Sequence, residues 1–164
     1  MLNELAICMM EYYSGDPARI QHFLKVHSFA RLIGEKEGLS PQEMLVLEIA
    51  AMVHDIGIKA AEEKYGSSNG KLQEQEGPPI AEKMLINLGV TSEVVQRVCY
   101  LVGHHHTYSS IDGVDYQILV EADFLVNLYE DGISSVGKQN AFNTIFKTPT
   151  GRALCRTIYD LPEG

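Results

Sequence analysis

The tetrapeptide His54-Asp55-Ile56-Gly57 closes a largely apolar run, Leu45 to Val53, and limits the fold more than any other stretch of the chain. An apolar run of this kind packs inward and draws the imidazole and carboxylate at its end toward the interior. Burying a neutral polar group without a partner costs roughly 2–7 kcal/mol, and burying an ionised carboxylate costs far more. A second histidine, His27, lies one predicted helix upstream, and Asp123 sits inside another apolar stretch far downstream. Two histidines and two aspartates in apolar surroundings call for a cation. A divalent metal suits them, because neutral imidazole and carboxylate are the ligands that borderline and hard ions accept.

Helical punctuation dominates the remainder, and no alternating strand pattern appears. A first helix is expected over residues 1–13, ending at Ser14-Gly15. Asp16-Pro17 is an N-cap and N1 pair opening a helix to about Glu35, with Ile20, Phe23, Leu24, Val26, Ala30 and Leu32 as its apolar face. Ser40-Pro41-Gln42-Glu43 is a capping box, and its helix runs to about Ile56, where Gly57 stops it. Residues 58–76 read as a long polar excursion. Pro78-Pro79 opens a helix to Leu88, and Thr91 or Ser92 caps one that reaches His104-His105-His106. A helix from Tyr116 to about Tyr129 carries Asp123, and segments near 134–146 and 150–160 follow. The expectation is one all-α domain over 1–164, a helical bundle with a metal site in its core and C-terminal helices packed on it.

The formal charge of −9 argues against a grip on a nucleic-acid backbone, which calls for a basic stripe. A small anion is still admissible, because a bound metal inverts the local field. There is no apolar stretch of about 20 residues to span a membrane. Cys8, Cys99 and Cys155 lack metal-type spacing and read as reduced core thiols of a cytoplasmic protein. The start, Met1-Leu2-Asn3-Glu4, has no signal-peptide character. Self-association into a homo-oligomer is left open.

The ordered set His27, His54-Asp55-Ile56-Gly57 and Asp123 resembles the HD-domain superfamily of metal-dependent phosphohydrolases, over about Gln21 to Leu128. The resemblance implies that His27, His54, Asp55 and Asp123 hold a divalent ion: Fe, Mn, Co, Ni, Zn or Mg. Two-metal relatives place a histidine in a pattern resembling HxxxGAE. Here the stretch reads Glu76-Gly77-Pro78-Pro79-Ile80-Ala81-Glu82, so one ion per chain is expected. A second ion would need Glu76, His104 and His105. Of the three consecutive histidines, His104 and His105 are expected to face inward. The GYP signature of the cyclic-dinucleotide branch is absent, Thr107-Tyr108-Ser109 standing after the histidines.

The implied activity is hydrolysis of a phosphate ester of a small metabolite or nucleotide through metal-activated water. Two aspartates and one divalent ion sum to zero charge, so the phosphate needs further cations. Arg31, one turn beyond His27, and Lys59 are the candidates, with Asp55, His104 and His105 completing the expected catalytic set. Glu82 and Asn127 are candidates for supporting roles near the site, a solvated helix surface being the plainer reading of both. The alternatives are a di-iron oxygenase of the same superfamily and a non-catalytic metal-stabilised binding module.

Overall fold

The computed structural model describes residues 1–162, and among these every regular element is helical. They are α1 (Leu2–Tyr12), α2 (Pro17–Glu37), α3 (Pro41–Val53), α4 (Gly57–Tyr65), α5 (Gly70–Asn87), α6 (Ser92–Val102), α7 (Val114–Glu130), α8 (Ser135–Thr144) and α9 (Pro149–Tyr159).

Local chemistry sets the central boundaries. The Asp16 side chain accepts from Arg19 N at 3.1 Å and Pro17 stands at the helix start, while Gly38 closes α2 in the left-handed region at φ 76°. Ser40 and Glu43 form the reciprocal capping box of α3. Helix α7 is buried on nearly every side, from Tyr116 through Leu128, as expected of a core helix rather than a surface one. It packs on α2 and α3, and these three helices surround the core formed by Phe23, Val26, Ile33, Leu47, Ile49, Ile118 and Leu119. Helix α1 covers α3, α6 lies on α3 and α5, and α9 docks on α2, α7 and α8.

The stretch after His54-Asp55-Ile56 departs from the sequence reading. Gly57 opens α4 rather than stopping α3, and the expected polar excursion is a helical hairpin of α4 and α5. A Cβ at residue 57 would lie 2.4 Å from the Gln73 carbonyl oxygen and 2.7 Å from Gly77 N, so glycine there permits two helix backbones to meet. Pro78 and Pro79 lie inside α5, which starts earlier at the Asn69 cap. The two prolines forfeit two amide donors, yet their fixed φ is helical and α5 is held from both sides by α4 and α6.

The buried carboxylate of Glu121 on α7 ties the C-terminal helices to the core. It accepts from Lys147 N at 2.6 Å, Thr148 N at 2.9 Å, Thr148 Oγ1 at 2.5 Å and Gln117 Nε2 at 2.8 Å. These donors satisfy a charge that could not otherwise be buried.

Candidate metal centre

Four segments converge at one end of the α2–α3–α7 core. His22 comes from α2, His54 and Asp55 from the turn after α3, His105 and His106 from the turn after α6, and Asp123 from α7. The turn at residues 54–56 is held from outside by α1. Tyr13 OH donates to the Asp55 carbonyl at 2.7 Å, and Tyr12 OH donates to the Ile56 carbonyl at 3.2 Å.

Three of the imidazoles have their outer nitrogen engaged. His22 Nδ1–H donates to Glu130 Oε2 at 2.7 Å, His54 Nδ1–H to Ala51 O at 2.9 Å and His105 Nδ1–H to Val102 O at 2.8 Å. Each acceptor fixes the tautomer, so the Nε2 lone pair of each ring faces inward. His22 Nε2 lies 3.3 Å from His54 Nε2, 3.2 Å from Asp123 Oδ1 and 3.3 Å from Asp55 Oδ2. His54 Nε2 lies 3.3 Å from Asp55 Oδ2 and 3.6 Å from Asp123 Oδ1.

Four acceptor atoms therefore meet with no donor among them, an arrangement that requires a cation. Ligands about 2.1 Å from a shared divalent ion stand about 3.0–3.5 Å from one another. Four of the five observed spacings fall in that range and the fifth, His54 Nε2 to Asp123 Oδ1, is 3.6 Å, so His22, His54, Asp55 and Asp123 fit a divalent metal.

The other oxygen of Asp55 turns toward a second group. Asp55 Oδ1 is 3.4 Å from His105 Nε2, a buried atom with no hydrogen-bond partner. Asp55, His105 and His106 together could also hold an ion. In His106, however, both ring nitrogens are already occupied: Nε2 lies 3.0 Å from Gln73 Oε1 and Nδ1 3.4 Å from Tyr108 OH.

Electrostatics express the same demand for positive charge. Burial pulls the His54 pKa down, but Asp55 and Asp123 more than reverse this and hold it well above the ordinary value. His22 is raised too, burial again being outweighed by Asp123 and Asp55. Burial pushes the Asp55 and Asp123 carboxyls up, but the facing imidazoles hold both below the usual range. His106 moves the other way: burial, then His105, push it down to about 4, so it is neutral near pH 7.

Several residues proposed from sequence lie elsewhere. His27 sits on another face of α2, with Nε2 3.1 Å from Glu48 Oε1, and His22 occupies the place expected for it. Arg31 is exposed and paired with Glu35 at 2.8 Å. Lys59 is exposed, its ammonium donating to Tyr12 O at 3.3 Å. Glu76 lies in the middle of α5, bound by Lys64 at 3.0 Å and Tyr65 OH at 2.9 Å on the face toward α4. His104 is stacked on Tyr100, with Nδ1–H donating to Tyr100 O at 2.7 Å. His54, Asp55, His105 and Asp123 do meet, and Asn127 Nδ2 donates to Asp123 Oδ1 at 2.8 Å.

A cavity of about 330 Å³ opens onto the cluster, with Arg19, Gln73, Asn127, Glu130 and Asp131 among its walls. Among the described residues Arg19 is the one arginine or lysine in that lining, one turn before His22 on α2. Its Nη2 is 2.7 Å from Glu62 and its Nη1 3.2 Å from Asp16, which hold the guanidinium at the rim. The arrangement can place a small anion between Arg19 and a cation in the cluster.

The HD domain family model matches residues 19–138. A search of curated proteins finds no match. Among solved structures, a crystal structure described as a predicted HD superfamily hydrolase from an uncultured Thermotogales bacterium superposes with a TM-score of 0.69 at 26% identity, over 96% of this chain and 84% of that one. The matched span contains all six residues of the cluster, and the chain belongs to the HD domain family.

Proposed function

We propose that the protein is a metal-dependent phosphohydrolase that cleaves a phosphate ester of a small metabolite or nucleotide. The convergence of four acceptor atoms beside an arginine-lined cavity carries this reading. His22, His54, Asp55 and Asp123 would hold the first ion. Asp55, His105 and His106 offer a weaker second place, because His106 would have to give up Gln73 or Tyr108. One tightly held ion per chain is the stoichiometry this favours. When bound, a divalent ion polarises phosphoryl oxygen and acidifies water.

The chain supplies the remaining work. Asp55 and Asp123 cancel the charge of one ion, so an ester dianion needs a further donor, and Arg19 in the cavity wall would supply it by turning part of its fork from Asp16 and Glu62. Its fork of donors suits non-bridging oxygens. Asn127 holds Asp123 in place through Nδ2, and its side-chain amide oxygen would accept from a substrate hydroxyl. His106 stays neutral near pH 7 and serves as a hydrogen-bonding group, not as the acid that protonates a leaving group. Among the described residues no helix is long and apolar enough to cross a membrane.

Phosphate release from nucleotide and sugar-phosphate panels, with Mn²⁺, Co²⁺, Ni²⁺, Zn²⁺, Fe²⁺ or Mg²⁺, tests the reading. Metal-dependent release from at least one ester is expected. A protein that takes up metal and releases no phosphate from any ester is instead a binding module, or an oxygenase if oxygen is consumed.

A further inference from the structure

His22 differs from the other inward-facing histidines in what holds its outer nitrogen. His54 and His105 donate to carbonyls within their own turns, Ala51 O and Val102 O. His22 donates to a carboxylate, Glu130, which lies 108 positions away on α7. The other oxygen of that carboxylate receives the ammonium of Lys25. Lys25 and His22 are one turn apart on α2, so one side chain from α7 takes a donor from each.

The location of Glu130 also goes against local preference. It is the last residue of α7, where the helix dipole disfavours an anion. A residue placed against its local rule points to a function elsewhere. Asp131 and the left-handed Gly132 that follow end the helix without help from the Glu130 side chain.

We infer that Glu130, clamped by Lys25, is a positioning residue that fixes the His22 tautomer and aims Nε2 at the metal. The inference rests on the reading that the cluster holds an ion. A charged acceptor on the outer nitrogen makes the inner nitrogen a stronger donor to metal and costs the ring its freedom to flip. His54 is enclosed on all sides, whereas His22 lines the open cavity. Of the two histidine ligands, the one that borders the cavity is thus the one with the charged brace. Lys25 has a second effect. It offsets the charge of Glu130, which lines the cavity beside Asp131, so an anionic substrate meets one carboxylate fewer on that wall.

The test is Co²⁺ titration of metal-stripped protein, followed by calorimetry and visible absorption, with the thermal midpoint of the stripped protein measured in parallel. Glu130→Ala should bind the first Co²⁺ roughly 10- to 100-fold more weakly than wild type, with the stripped protein melting as wild type does. Glu130→Gln, which retains an acceptor oxygen without the charge, should fall in between. Affinity of Glu130→Ala within twofold of wild type overturns the inference, as does a loss accompanied by an equal fall in the stripped midpoint of both variants. Should Glu130→Ala fail to fold, Glu130→Gln against wild type decides, unchanged affinity being the contrary result. Wild type that takes up no Co²⁺ would instead remove the metal reading itself.

Discussion

The Tyr13 hydroxyl donates to the backbone carbonyl of Asp55 at 2.7 Å, so a residue at the end of α1 holds the turn that aims the aspartate. Tyr13 is buried, and Tyr13→Phe removes the donor while keeping the ring. An unpaired carbonyl at that depth costs about 1–2 kcal/mol. The variant should lose that much stability and also bind metal more weakly. Chemical denaturation and metal titration check both. Normal metal affinity would mean that the turn keeps its shape without α1.

His22→Ala and His27→Ala should separate cleanly. Removing His22 deletes an acceptor from the cluster and should cost more than the roughly 10- to 100-fold attached to an outer-shell partner. Removing His27 breaks only the pair with Glu48 and should leave metal affinity unchanged. Elemental analysis of both variants after dialysis decides, and the reverse pattern would restore His27 to the site.

Arg19→Ala should lower kcat/KM for a phosphate ester about 10- to 100-fold, the loss of one or two charge-assisted hydrogen bonds. Arg31→Ala should have no effect, because its exposed guanidinium pairs with Glu35 and is not part of the cavity wall. Steady-state kinetics on any ester found active supply the comparison. Equal kinetics in wild type and Arg19→Ala would leave phosphate recognition to the metal alone.

Metal should change how stability depends on pH. In the stripped protein His54 and His22 have raised pKa values, set by burial and, with the opposite and larger effect, by the aspartates. A cationic group raised in the folded state stabilises fully below its unfolded value of about 6.5, and the contribution is lost as pH climbs through the folded value. The melting temperature of stripped protein should therefore decline from neutral toward alkaline pH. Loaded protein should lack this decline, since the ion takes over the pairing. Parallel slopes between pH 6 and 9 would show that proton and metal do not compete there.

Gly151→Ala should destabilise the C-terminal docking. A Cβ at that position would fall 1.9 Å from Glu121 Oε2 and 2.8 Å from Thr148 Oγ1, forcing apart the bonds that satisfy a buried charge. Overpacking of this kind costs about 1–3 kcal/mol, or roughly 3–10 °C in Tm for a chain of this size. Differential scanning calorimetry measures it, and an unchanged midpoint would show that the loop yields freely.

The features legible in the sequence were those decided locally. Asp16-Pro17 and Ser40-Glu43 cap helices through atoms within four residues, and both form as expected. The choice between His22 and His27 was not local. Around α2 the buried Phe23, Val26, Ala30 and Ile33 define one face, and the two histidines flank its opposite edges, about 140° apart. Periodicity treats those edges alike. Only the placement of α7 and the 54–56 turn on one side distinguishes them. The histidine triplet was opaque for a related reason. It follows the end of α6, where turn geometry sends His105 inward and lays His104 on Tyr100. Glu76 could be weighed only as a ligand for a second ion, because the sequence did not show α4. Without α4, nothing in the sequence showed that Lys64 and Tyr65 would claim it.

The backbone contact between Gly57 and Gly77 bears on how such a protein can change. Residues 54–56 are fixed from one side by tyrosine hydroxyls on their carbonyls, and α4 leaves them wedged directly against α5. Main-chain atoms, not the side chains of the cavity, therefore set the direction of Asp55. Ile58 on α4 and Ala18 on α2 line the cavity with apolar side chains that make no hydrogen bond to the cluster. Substrate preference can drift by exchanging such wall residues while the centre keeps its geometry. A single methyl group at Gly57 would instead part the helices and disturb centre and wall together, whereas one at Gly77 would meet the Val102 side chain of α6 at 2.6 Å.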